Sequence, residues 1–112
     1  MNPAARDELL DALRNAARAV LDNDLDRVRG FARAQLDAMA QQALYIAAGV
    51  TDGTIDEPMR RYFLDALREM TRSFVNTLLG LAEVMVERLY HALLDVLWRA
   101  IGAIVGARWR PL

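Results

Sequence analysis

Residues 78–107 read LLGLAEVMVERLYHALLDVLWRAIGAIVGA, a stretch with helical spacing and no proline. Its charged and imidazole side chains are few: Glu83, Glu87, Arg88, His91, Asp95 and Arg99. Nearly everything else is Leu, Val, Ile, Ala, Met, Tyr or Trp. An amphipathic helix in a small domain shows an apolar stripe a little over ~100° wide. This one is apolar around most of its circumference, so one neighbour cannot cover it. Either several helices surround it or a lipid surface does.

The surroundings sharpen that choice. The chain has 112 residues, enough for one domain. Its 54% hydrophobic content, counted without glycine, exceeds the ~45–50% usual for soluble domains with glycine included. The excess sits in the last third, and unburied apolar surface marks an interaction site. The net charge of −1 gives no basic field of the kind nucleic-acid binding needs, although all 14 basic residues are arginine. Cysteine is absent, which excludes disulfides, thiolate metal sites and a cysteine nucleophile. The opening MNPAARDELL carries acidic residues at once and no apolar core, so it does not read as a signal peptide. The expectation is a cytoplasmic protein, or one held peripherally at the inner face of a membrane.

Upstream, Asn2-Pro3 is a good helix start, with Asp7 and Glu8 in the early turns. Leu9, Leu13, Ala16 and Val20 recur at spacings of three and four, with Leu10, Ala17 and Leu21 beside them, which predicts an amphipathic helix. Asp22-Asn23-Asp24-Leu25-Asp26 interrupts it, yet the apolar spacing resumes through Leu25, Val28, Ala32, Leu36, Met39, Ala43, Ile46 and Val50. The arm 3–49 is thus one helix with a polar kink near 22–24, or two helices. The clear break is Gly49-Val50-Thr51-Asp52-Gly53, with Gly49 suited to a C-cap and a turn over 50–55. A new helix starts near 55–57, through a Thr54/Glu57 capping box or through Asp56 followed by Pro58. From there one long helix is predicted over 56–107. Its first half places Phe63, Leu67, Met70 and Phe74 inward and Arg60, Arg61, Arg68 and Arg72 outward, and only Gly80 offers a break.

Lengths then constrain the architecture. A straight helix over 56–107 spans roughly 75 Å at ~1.5 Å per residue, and an arm over 25–49 roughly half of that. The expected fold is all-α: a long-helix antiparallel hairpin or a small helical bundle, one domain over 1–112, completed by homo-oligomerisation. The predicted oligomer interface is Leu78, Leu81, Met85, Leu89, Leu93, Leu97, Ile101 and Ile104, with Trp98 as anchor.

Chemistry-bearing patterns are sparse. Glu83, Glu87, His91, Asp95 and Arg99 stand four residues apart, so each neighbours the next on a helix. That series reads as a salt ladder that keeps an apolar helix soluble. The competing metal reading, with Glu87, His91 and Asp95 as candidate ligands, needs a second copy, because His91 is the only histidine. Asp22, Asp24 and Asp26 resemble the start of an EF-hand loop, but Arg27 and Arg33 stand where glycine and glutamate belong. Gly102 and Gly106 form a small-xxx-small pair that permits close helix approach. Trp98 and Trp109, with Arg108 and Arg110, resemble an interfacial anchor or a bundle end. Residues 89–107 have the length of a membrane span, but Asp95 and Arg99 at its middle each cost roughly 2.5–3.5 kcal/mol on insertion scales. Ser73 is the single serine, with no acid and histidine arranged about it, and no phosphate-binding glycine loop is present. No cofactor, nucleic acid or small-molecule substrate is implied. The expected function is non-enzymatic: a self-associating helical structural or assembly element. The first alternative is an amphipathic protein lying on lipid through residues 78–110, including as a pore-forming oligomer. The second is the carboxylate–histidine metal bundle.

Overall fold

The broad apolar face of the last third finds its cover within the same chain. A computed structural model describes residues 3–21 and 33–106, and all regular structure among them is helical: α1 (Pro3–Leu21), α2 (Arg33–Asp52), α3 (Glu57–Asn76) and α4 (Glu83–Val105). Helix α4 packs against α1, α2 and α3, whereas α1 and α3 make no contact with each other. The four helices form a bundle squeezed along one diagonal, with α2 and α4 meeting across its centre. The short side chains of Ala40, Ala43 and Ala47 on α2 are fully buried, which lets the diagonal pair approach around Leu89, Leu93 and Leu97 of α4. Tyr45 meets Phe63, and Ala38 and Met39 share a groove with Met70 and Phe74, so α2 and α3 run antiparallel. The contacts of Arg72 with Glu87 and of Arg68 with Trp98 set α3 antiparallel to α4 in the same way.

The long helix predicted over 56–107 is corrected: it ends at Asn76, and a second helix begins at Glu83. Thr77 closes α3, its hydroxyl donating to the Phe74 carbonyl at 2.7 Å. Gly80 follows at φ +91°, a left-handed conformation that an L side chain rarely adopts. The energetic reason is burial. Breaking the helix gives up a few backbone hydrogen bonds worth about 1 kcal/mol each. Folding α4 back hides Leu89, Leu93, Leu97 and Ile101 completely, at about 1.5–3 kcal/mol apiece. The bundle's longest dimension, 43 Å, is well short of the roughly 75 Å of an unbroken helix. Its radius of gyration is 14.1 Å, close to the about 13 Å expected of a globule of this length.

The arm predicted over 3–49 is likewise not one straight helix, because α1 and α2 pack against each other. The interruption at 22–24 and the aspartates of the EF-hand comparison lie outside the described residues, as do Leu25, Val28, Ala32 and the Asn2 cap. The turn predicted over 50–55 shifts, since α2 runs on to Asp52. Gly53 at φ +82° ends it, in place of Gly49. Gly49 is instead inside the helix and buried, and a Cβ there would overlap the Ile55 side chain. Ile55 also donates its N–H to the Gly49 carbonyl at 2.9 Å, so the glycine is the seat on which the turn folds. Of the two starts open for the next helix, Asp56 is the cap, its carboxylate accepting from the Met59 N–H at 3.0 Å, with Pro58 in the first turn. Thr54 serves the turn instead, donating through both its N–H and its hydroxyl to Asp52. These bonds hold the Asp52 carboxyl below its ordinary value, the side-chain bond contributing most.

On α3 the inward stripe is Leu64, Leu67, Thr71, Phe74 and Val75. Relative to the predicted stripe it is rotated, leaving Phe63 half-buried and Met70 at the surface with 37% exposure. Thr71 fits the apolar interior because its hydroxyl donates to the Leu67 carbonyl at 2.9 Å.

Candidate functional site

The residues predicted as an oligomer interface divide once placed. Leu89, Leu93, Leu97 and Ile101 are in the centre of the chain's own bundle, and Leu78, on the α3–α4 connection, is buried. The chain's own helices cover them, so in this structure they present no surface to a second copy. Leu81, Met85 and Trp98 are half-buried at its margin, and Ile104 is 44% exposed near the end of α4. Gly102 is half-buried on α4, while Gly106, at φ +81°, is its C-cap, with an N–H bonded to the Gly102 carbonyl. Trp109, Arg108 and Arg110 lie outside the described residues.

The acidic and basic series of α4 sits on the outside. The Arg72 guanidinium of α3 grips Glu87 through two bonds, at 2.6 and 3.3 Å, while lying 3.7 Å from the centre of the Tyr90 ring. This clasp ties α3 to α4 and holds the Glu87 carboxyl below its ordinary value, chiefly through the Arg72 bonds. His91 is exposed, with Nε2 at 3.9 Å from Glu87 and its ring edge-on to Tyr90. Asp95 turns to Arg99 at 3.0 Å. Of the three candidate ligands, Glu87 and His91 are thus neighbours, with Glu87 held by Arg72, while Asp95 is held by Arg99. Among the described residues, no three His, Asp or Glu side chains come together as a metal would require. No helix among them is long and apolar enough to cross a membrane.

What the bundle leaves open is a groove of about 480 Å³ between α1 and α4. Its floor and walls are apolar: Ala5, Leu9, Ala12 and Leu44 face Val96, Ala100, Ala103 and Ile104. The two charged residues on it, Glu8 and Arg99, come one from each helix. The origin is local. Alanines on both helices leave a trough where longer side chains would have met, while Leu9 and Leu44 close its base. A second depression, between α2 and α3, differs in character: Asp37, Gln41 and Gln42 line it beside Tyr45 and Met70. Asp37 there is engaged by Gln41 at 3.0 Å and by Arg6 at 3.6 Å. At the α3–α4 corner Leu79 and Val84 protrude, 63% and 64% exposed.

Sequence reasoning reached Ile104 and missed the α1 wall of the groove, Ala5, Glu8 and Ala12. The signal was present as two alanines seven residues apart, Ala5 and Ala12, flanking Leu9 on α1, but alanine is also a common filler of helices. No protein-family model matches the chain, and no curated protein or solved structure is similar to it.

Proposed function

We propose that this protein is a non-enzymatic helical assembly element that works by associating with further copies of itself. The observation that carries the reading is the α1/α4 groove, an apolar trough open at the surface of a bundle whose own core is already closed. Contiguous apolar surface on a finished domain is costly to leave in water and marks a place of contact. Small side chains on both walls favour helix-to-helix contact with a second copy, because they let helix axes approach within about 8–10 Å. The association is thus between folded units rather than a condition of folding, a change from the expectation drawn from residues 78–107. Light scattering across a sizing column in detergent-free buffer tests it: the reading expects a small multiple of the 12.6 kDa chain. A single 12.6 kDa species across concentrations up to the millimolar range overturns it.

A second reading has one observation behind it. The apolar corner formed by Leu79 and Val84, with Leu81 and Met85 half-buried beside them, is the shape of a shallow lipid-surface anchor. It predicts co-flotation with anionic lipid vesicles that Leu79→Ser and Val84→Ser together abolish.

A further inference from the structure

The charges on the groove go further than its apolarity, because their placement fixes how a second copy sits. Glu8 falls midway along the α1 wall, which runs from Ala5 to Ala12, and Arg99 midway along the α4 wall, from Val96 to Ile104. Both are exposed. Each thus lies near the middle of its own wall, on opposite sides of the trough. A two-fold interface presents the same patch on both subunits, and for two copies meeting groove to groove the axis lies along the groove or across it. An axis across the groove lays α1 on α1 and α4 on α4, setting like charge over like charge at mid-height. An axis along the groove lays α1 of each copy on α4 of the other and sets opposite charges together.

Resting on the self-association reading, we infer that the protein forms a two-fold dimer about an axis along the α1/α4 groove, with Glu8 paired to Arg99 of the partner subunit and Arg99 to Glu8 of the partner subunit. The alanine walls interleave beneath these pairs, and Ile104 covers the end of the trough. Arg99 already bonds Asp95 on its own helix through Nη2. A guanidinium offers five donors in a planar fork, so it serves a second carboxylate at its other edge. The like-charge alternative is disfavoured at two symmetry-related places at once, which makes the charge pattern a selector of geometry more than a source of affinity.

Charge reversal tests the arrangement by equilibrium sedimentation, with helix content checked by circular dichroism. Glu8→Arg and Arg99→Glu, made singly, each weaken dimerisation by on the order of tenfold or more. Together they restore it to near the wild-type value. Should either reversal unfold the chain, Glu8→Gln and Arg99→Gln replace it, each weakening the dimer by a smaller factor. A wild-type dimer indifferent to the single reversals, or weakened by both with no recovery in the double variant, overturns this geometry. In that case self-association stands and the groove belongs to another occupant, such as a lipid surface. A wild-type chain that is monomeric throughout overturns the parent reading itself.

Discussion

Helices α3 and α4 are of similar length and adjacent in sequence, yet they stand in the bundle in opposite ways. Helix α3 touches α2 and α4 and buries one narrow stripe, with Arg61 exposed and Arg60, Arg68 and Arg72 half-buried beside it. Helix α4 touches every other helix, and its buried residues, Leu89, Tyr90, Leu93, Leu94, Leu97 and Ile101, cover a wider arc. The width of an apolar face thus counts a helix's neighbours. It does not say whether those neighbours belong to the same chain, and here they do.

The largest effect should follow from attacking the wide face. Leu93→Asp places an unpaired charge where exposure is zero, at a cost of several kcal/mol against a total stability of about 5–15. Loss of the cooperative thermal transition in circular dichroism is expected. The matching change on the open side of α3, Tyr62→Ser, should alter stability by no more than about 1 kcal/mol. A folded Leu93→Asp chain would mean that α4 is not enclosed.

A middle-sized effect is expected at the hinge between α2 and α3. Gly49→Ala forces a methyl group into the Ile55 side chain and should cost about 1–3 kcal/mol, read by urea denaturation. Gly53→Ala meets open space, so only its left-handed backbone is strained, at roughly 1–2 kcal/mol.

The smallest effect belongs to the clasp that joins the two contrasted helices. Because Arg72 lowers the Glu87 carboxyl from its ordinary 4.5, the clasp's contribution is complete above that pH and disappears as pH falls through the lower folded value. Arg72→Ala should therefore show a modest loss of stability at pH 7 that narrows on acidification, in denaturation curves taken across that range. A difference that persists in acid would assign the loss to the packing of the guanidinium on Tyr90 instead.

The all-α class was legible because leucine recurs at three and four residues, and the face of α1 followed in part: Leu9, Leu10, Leu13, Ala17 and Leu21 are buried, while Ala16 and Val20 are half-buried. The break at 77–82 was not, since Thr77 and Gly80 are each tolerated within helices. Only the energy of folding α4 onto α1 and α2 decides the matter, and local propensity does not contain that term. The inward face of α3 was misread by a small rotation because Met70 and Leu64 are equally apolar, while Thr71 hides its polarity in a bond to its own helix. The interface was assigned to the most apolar residues, and a folded chain uses those first. What it leaves at the surface is the alanine trough, whose residues carry little hydrophobic signal individually.

The decisive measurement is the solution mass of Ala103→Glu, which puts a carboxylate into the exposed wall of the groove without touching the core. Measured by light scattering beside the wild type, with helix content recorded for both, it should give a fully helical 12.6 kDa monomer where the wild type is a dimer. A variant that keeps the wild-type dimer mass would contradict the groove as the place where the copies meet.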